Sequence, residues 1–252
     1  MLERREKILE MIRTRDRVNV RDLADCFMCS EVTIRTDLRE MEKEGLLERT
    51  HGGAVRKKNV FPNYRPGNIY RNADVKEKIA ACAFRLIRAR ETIILDDSTA
   101  CFYLALEIRR HPEKPLAVVT NSLLAGSELA GLPHVDIYVV GGTIGGHVPA
   151  TFGKSAADDI RRFTVDRAFI GVHGISFEAG ITAVADPQMQ MKQAILETTE
   201  DITVLADSNR FGGGYFSVVC PISRISRIVT DSGVSGDCVQ KAAAGNIPLI
   251  IA

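Results

Sequence analysis

No run of apolar residues in the 252-residue chain is long enough to span a bilayer, and the opening stretch MLERREKILEMIR is charged and amphipathic rather than a secretory signal. The chain is therefore expected in the cytoplasm, without a membrane partner. A charge of one sign is missing too. The net charge is +1, with 14 Lys and Arg against 12 Asp and Glu in residues 1–58 and 19 against 20 in the remainder. Affinity for nucleic acid would have to come from where charges lie, not from their sum. Metal-ligand spacing is missing as well. Cys26 and Cys29 form a CxxC, but no second Cys or His pair lies nearby to complete a tetrahedral site. Six cysteines in a cytoplasmic chain of this size are expected to be reduced packing residues, so neither a metal nor a cofactor is expected. Gly153-Lys154-Ser155 hints at a P-loop, yet Val148 stands where its first glycine is needed. Gly141-Gly142 and Gly145-Gly146 do not make a dinucleotide fingerprint. His147 and His173 lack a paired nucleophile, and no repeat or low-complexity segment interrupts the chain.

What is present begins with residues 19–55. Residues from Leu2 to about Arg13 read as a first helix with Ile8, Leu9 and Ile12 inward, and Thr14–Val18 as a polar loop. Asn19 caps a second helix with Leu23, Ala24 and Phe27 inward. Ser30 caps a third, whose apolar stripe of Ile34, Leu38 and Met41 closes on Leu46 at helical spacing. The opposite face carries Thr33, Arg35, Thr36, Arg39 and Lys43. Hydroxyls and guanidinium groups on one side of a half-buried helix suit the DNA major groove. After Gly45, residues 46–55 read as strand, Gly52-Gly53 turn, strand: a wing bearing Arg49 and His51. The expected DNA contacts are Arg21, Ser30, Thr33, Arg35, Thr36, Arg39, Arg49 and His51. The alternative for such a segment is a small packing module with a solvated charged face.

Residues 56–72, with Pro62, Pro66 and Gly67, have no sustained periodicity and read as a linker, with Arg56, Lys57 and Lys58 placed for phosphates. The expected division is 1–57 for a winged helix-turn-helix, 58–74 for the linker and 75–252 for an α/β domain. In that last part a helix at 76–89 leads into short apolar strands alternating with helices. The strands are expected at 92–95, 116–120, 135–140, 167–172, 202–206, 227–230 and 249–251. Such alternation predicts a mostly parallel sheet covered on both faces.

Ligands of open parallel sheets bind beyond the carboxyl ends of the strands. The loops expected there hold Asp96, Asp97, Ser98 and Thr99; Thr120, Asn121 and Ser122; Gly141 and Gly142; Gly171 and His173; and Asp207 with Arg210. Hydroxyls and free amides at helix N-termini attract phosphate, and Arg210 and Lys192 could add full positive charge. The carboxylates and the amide could bind hydroxyls. A sugar phosphate has that combination. Helix capping alone is the competing account for any single loop.

These residues resemble the DeoR family of bacterial transcriptional regulators over essentially the whole chain. The N-terminal resemblance lies in Val32-Thr33-Ile34-Arg35-Thr36-Asp37-Leu38, Gly45-Leu46 and His51-Gly52-Gly53-Ala54. The C-terminal one lies in Leu95-Asp96, Ser98-Thr99, Val119-Thr120-Asn121-Ser122, Gly141-Gly142, residues 166–171, Asp207-Ser208 and Phe211-Gly212. The resemblance implies an operator-binding winged helix-turn-helix and a sensor domain similar to ribose-5-phosphate isomerase. It also implies a repressor of sugar metabolism genes, acting as an oligomer of at least two chains and released by a phosphorylated sugar or related metabolite. Thr36 stands where the family usually has a second arginine, Asp97-Ser98 where its first phosphate loop usually has glycine, and Arg210 where it often has lysine. The rival reading is a sugar-phosphate isomerase-like enzyme with an attached DNA module. It would need a general base, for which Asp96, Asp97 or Asp207 could serve, but no paired acid–base motif accompanies them.

Overall fold

The computed structural model describes residues 4, 5, 7, 8, 11, 12, 17–43, 46–55, 67–145, 148–183, 186–213 and 217–252. They form two compact units, Met1–Arg71 and Asn72–Ala252.

In the first unit, residues 4, 5, 7, 8, 11 and 12 are helical, with Ile8 and Ile12 buried; Leu9 lies outside the described residues. Strand β1 (Arg17–Asn19) leads directly into helix α1 (Val20–Cys26). The Asn19 side chain accepts the Asp22 amide at 2.8 Å, giving the expected N-cap. Met28 turns the chain with a left-handed φ of 47°. Helix α2 (Glu31–Lys43) then starts at Ser30, whose Oγ accepts the Thr33 amide at 3.1 Å. Ile34, Leu38 and Met41 are buried against Ile8, Leu23 and Ala24, as the periodicity predicts. Leu47 closes the stripe, while Leu46 and Phe27 are only partly buried.

Asp37 is buried on the inner side of α2, where Arg4 and Arg5 donate to it at 2.6 and 3.1 Å. Burial pushes this carboxyl up, but the two guanidinium groups outweigh it and hold it below the usual carboxylate range. A carboxyl held low contributes stability above its unfolded-state pKa of about 4, lost as pH falls through the folded value. Asp37→Asn is expected to lower the unit's stability by about 1–2 kcal/mol at neutral pH. The deficit should shrink in acid. Denaturant titrations at several pH values measure this, and a deficit constant with pH would contradict it.

Strands β2 (Glu48–Thr50) and β3 (Gly53–Val55) form the wing. Two sequence expectations change here. Residues 17 and 18, expected in a loop, belong to strand β1, and β3 is the central member of a three-stranded sheet ordered β1-β3-β2. The turn is His51-Gly52, and Gly53 belongs to β3, facing Asn19 and Thr50. A three-residue strand with no alternation of its own exists only through its partners, which local pattern does not reveal. Gly45, Arg56, Lys57 and Lys58 lie outside the described residues.

A helical turn, α3 (Gly67–Tyr70), occupies part of the expected linker, and α4 (Ala73–Leu86) both starts and ends before its expected bounds. Asp74 favours the early start at the positive end of the helix dipole. Buried Ile87 leaves the helix in extended conformation, and Arg90 (φ 69°) turns the chain into the sheet.

The second unit is built on seven parallel strands. In chain order they alternate with helices: β4 (Thr92–Leu95), α5 (Thr99–Arg109), β5 (Leu116–Thr120), α6 (Leu123–Leu129) and β6 (Val135–Val139). A hairpin of β7 (Thr143–Gly145) and β8 (Ala150–Phe152) follows, then α7 (Lys154–Ile160) and β9 (Arg167–Gly171). Next come β10 (Gly174–Ser176), β11 (Gly180–Ala183), α8 (Asp186–Leu196), β12 (Ile202–Leu205), β13 (Ser217–Cys220), β14 (Arg227–Thr230), α9 (Gly236–Ala244) and β15 (Leu249–Ile251). The sheet order is β15-β14-β12-β9-β4-β5-β6. The inner strand β4 is apolar after Thr92, with Ile93, Ile94 and Leu95 fully buried, each worth about 1.5–3 kcal/mol of transfer from water. Coverage is incomplete at both edges, where Tyr138 and Val139 of β6 and Ile251 of β15 are exposed.

The chain lays down β4, β5 and β6 in one direction and then returns past β4 to begin β9. Between β4 and β9 lies the topological switch point, where the carboxyl ends of an open sheet leave a crevice. The small strands missing from the sequence reading cover these ends. β7 pairs with β8, while β10, β11 and β13 form a separate antiparallel sheet. Their three- or four-residue segments carry too little alternation to be read as strands.

Candidate functional site

At the switch point four elements converge on Asp96. This residue follows β4 and is completely buried. One carboxylate oxygen accepts the Ser98 amide at 2.9 Å. The other accepts the Gly171 amide of β9 at 3.0 Å and the ammonium of Lys192 from α8. Ser98 Oγ caps α5 by accepting the Cys101 amide at 3.2 Å. Gly171 permits this closeness, since a Cβ there would lie 2.3 Å from Ser98 Cβ and 2.5 Å from its Oγ.

Asp97 is buried beside this pair. Its Oδ2 accepts a long bond from Gln188 at 3.4 Å, and its Oδ1 is buried with no hydrogen-bond partner. Burial holds the Asp97 carboxyl above the usual range; Lys192 pulls it down and Asp96 adds to the rise. Burial also works against the Lys192 ammonium, but Asp96 and Asp97 outweigh it and Lys192 titrates above the ordinary lysine range. Two carboxyl groups thus share one ammonium. Asp96 is locked by a cation and two amides, a poor state for a general base.

Next along the sheet, Thr120 Oγ1 donates to the Leu95 carbonyl at 2.6 Å and accepts the Ser122 amide at 2.9 Å. Ser122 Oγ caps α6 at the Ala125 amide. Asn121 Nδ2 donates to the Thr151 carbonyl at 3.1 Å, and the Thr151 amide donates back to the Asn121 carbonyl at 2.9 Å. Strand β8 therefore roofs this loop, and Thr120, Asn121 and Ser122 are all fully buried. Asn121 Oδ1 is left without a partner.

The other expected residues sit at the same end of the sheet in more open positions. Ser98 and Thr99 are half-buried, and Gly141 and Gly142 are exposed after β6. Gly142 has φ 146°, and a Cβ there would meet the Phe152 carbonyl oxygen at 2.6 Å. His173 is half-buried after β9, its amide donating to the Thr182 carbonyl at 3.1 Å. Asp207 and the partly exposed Arg210 form their own pair after β12, 3.7 Å apart. His147 lies outside the described residues. Lys154 is exposed and paired with Asp158, outside any phosphate cradle.

Two residues were absent from the sequence expectations. Gln188 stands one helical turn before Lys192 on α8, so their shared face was readable once Lys192 was singled out. Asp231 follows β14 as Asp207 follows β12, and accepts the Ser208 and Gly233 amides at 2.7 and 2.9 Å. Burial raises its carboxyl, and these bonds bring it below the usual range. The rule that selected the other strand ends would have found it.

On α2, Arg35, Thr36 and Arg39 are exposed, whereas Thr33 is half-buried. The Arg35 guanidinium rests on Glu31 at 2.6 Å, and Thr36 Oγ1 donates to the Val32 carbonyl at 3.0 Å. Ser30 and Thr33 hydroxyls are 2.8 Å apart. Arg21 is exposed on α1. On the wing, Arg49 is exposed beside Glu42, 3.8 Å away, and His51 is exposed at the turn.

A winged helix-turn-helix with a basic outer face, carried with an α/β domain whose strand ends hold polar loops, defines a DNA-binding regulator with a sensor domain. The DeoR-like helix-turn-helix model matches residues 4–60 and the DeoR C terminal sensor domain model matches residues 71–232. The chain belongs to the DeoR family. Among its relatives, the uncharacterized HTH-type transcriptional regulator YulB of Bacillus subtilis is 31% identical, over 94% of this chain and 92% of its own length. The transcriptional repressor AccR of Agrobacterium fabrum is 30% identical over 92% and 90% of the two chains. The HTH-type transcriptional repressor GlcR of Bacillus subtilis is 27% identical over 91% and 88%. Among solved structures, ribose 5-phosphate isomerase A from Methanocaldococcus jannaschii aligns with 56% of this chain and 55% of its own, at 16% identity and a TM-score of 0.41. The role is regulatory rather than enzymatic, and the chain binds DNA through its helix-turn-helix. Among the described residues, no helix is long and apolar enough to cross a membrane.

Proposed function

We propose that this chain is a cytoplasmic repressor of carbohydrate-metabolism genes that acts as a homo-oligomer, at least a dimer, on operator DNA. A phosphorylated sugar or related metabolite, bound at the strand ends of the α/β domain, releases it. The working division is residues 1–57 for operator binding, 58–74 as linker and 75–252 for sensing. The observation that carries the DNA half is α2 itself, buried along Ile34, Leu38 and Met41 and exposed along Arg35, Thr36 and Arg39. Arg21, Ser30, Thr33, Arg49 and His51 flank that face as backbone or base contacts. The repressor sense is supported by relatives that are named repressors.

For the sensor half, buried Asp97 Oδ1 and Asn121 Oδ1 are acceptors without donors, which supports a ligand rich in hydroxyl groups. Its phosphate would keep away from the two carboxyl groups and lie toward Arg210, Ser98 and Thr99, where a cation and a helix N-terminus favour it. Gly141, Gly142 and His173 would line the open side. Lys192 is committed to Asp96 and would act from beneath. The ligand must bind the DNA-free arrangement better than the DNA-bound one, since equal affinity shifts nothing.

Fluorescence anisotropy with DNA from upstream of the protein's own gene, at two salt concentrations and with a panel of sugar phosphates, tests this reading. Tight, salt-sensitive binding weakened by one compound is expected. Binding indifferent to every compound would remove the sensor half, and no binding would remove the operator reading at that site. Arg35→Ala and Arg39→Ala are each expected to cost about 1–3 kcal/mol of discrimination at one base pair. Leaving Glu31 costs Arg35 little, because an exposed ion pair is worth about 0–1 kcal/mol. Uniform weakening on all sequences, with a shallower salt dependence, would assign the arginine to phosphate instead.

A further inference from the structure

Val32 is 69% exposed on α2. With Arg35, Thr36 and Arg39 it occupies positions i, i+3, i+4 and i+7, so four exposed side chains share one face of the helix. An isolated exposed valine on a protein surface needs no explanation. This one lies in the N-terminal half of the helix, within the stripe that carries the arginines, where a recognition helix meets base edges. Its neighbour Thr36 donates its hydroxyl hydrogen to the Val32 carbonyl at 3.0 Å. That hydrogen is spent inside the helix, and the apolar group Thr36 has to offer is its methyl. The face therefore combines two guanidinium donors with two aliphatic groups. In the major groove the matching apolar group is the methyl of thymine, while guanine presents the acceptors that arginine reads.

We propose that Val32, with the Thr36 methyl beside it, packs on a thymine methyl group in the major groove and makes thymine a required base next to those read by Arg35 and Arg39. The proposal rests on α2 being the base-reading helix. It also gives Thr36 a task that an arginine at that position could not perform, because the group it presents is a methyl and not a charge.

The test uses the full chain and a duplex it selects from random-sequence DNA. Each thymine is replaced in turn by deoxyuridine, which removes the methyl and leaves every hydrogen-bonding edge in place. At one or two thymines of a half-site the wild-type chain is expected to bind about fourfold more weakly, the worth of one buried methyl group. Val32→Ser should shrink the uracil penalty there to at most the part that the Thr36 methyl supplies, with unchanged thermal stability and salt dependence. A wild-type chain indifferent to every such replacement would overturn the proposal, as would an undiminished uracil penalty in Val32→Ser. Both results leave α2 as the reading helix. Failure to select any sequence, or unaltered base preference in Arg35→Ala and Arg39→Ala, would instead remove that assignment and the thymine contact with it.

Discussion

Lys192→Met is expected to destabilise the α/β unit by about 3–5 kcal/mol at neutral pH, the cost of removing one partner from a buried pair. The side chain is 3% exposed and its ammonium is the cation that Asp96 and Asp97 share. Methionine fills much of the volume, so the loss comes from charge rather than from a cavity. Asp96 would keep the Ser98 and Gly171 amides, but two adjacent buried carboxyl groups would then face each other without a counterion. The Asp97 carboxyl, which burial already holds above the usual range, would lose the cation that pulls it down and rise further, which fixes the sign of the pH dependence. With that folded-state value raised, the variant's deficit should shrink as pH falls toward about 4, where the unfolded carboxyl also protonates. Adding Asp96→Asn should recover part of the loss: the amide is neutral, but its single oxygen cannot accept from both backbone donors. Urea titrations following the α/β unit's transition at pH 7 and in mild acid measure all three quantities. A loss below about 1 kcal/mol, or one that does not change with pH, would mean the pair is not the structural pin described above.

How much of this was readable in the chain depends on the range of the interaction. Ile34, Leu38 and Met41 announce α2 because helical periodicity is local, and the strand at 92–95 announces itself because three consecutive fully buried residues leave no polar alternation. Asp96 was singled out by its place after that strand, and Lys192 by its charge. Their partnership was not, since residues 96 positions apart meet only through the topology. The same distance explains Asn121 and Ser122. Their residue types suggest ligand contacts, yet β8 arrives from thirty residues downstream and covers them. Sequence located the end of the sheet correctly as the polar end. It did not distinguish the floor of that end, now closed by Thr120, Asn121 and Asp96, from the rim where Ser98, His173 and Arg210 are partly exposed.

Gly53→Ala is expected to remove about 3 kcal/mol from the DNA-binding unit, at the upper end of what an inserted methyl group usually costs. A doublet of glycines between two short strands reads as a hairpin turn, and that was the sequence expectation here. The structure gives the two residues separate tasks. Gly52 is in the turn, where a Cβ would meet nothing, and its carbonyl accepts the Val20 amide at 2.8 Å. Gly53 is where β1, β2 and β3 come together, facing Asn19 on one side and Thr50 on the other. A Cβ on Gly53 would lie 2.0 Å from the Val18 carbonyl oxygen and 2.7 Å from Asn19 Cα. Both are backbone atoms that no rotamer change can move, so β1 would have to leave the sheet. Asn19 is also the N-cap of α1, and displacing it would loosen the helix that packs against α2. The effect should therefore reach α2. Gly53→Ala is expected to lose operator affinity while the α/β unit unfolds at its wild-type denaturant concentration. Gly52→Ala, one residue earlier, should be nearly silent in both measurements. Equal losses from the two substitutions would indicate that the doublet acts as a turn after all, and that β1 is not held against β3 in solution.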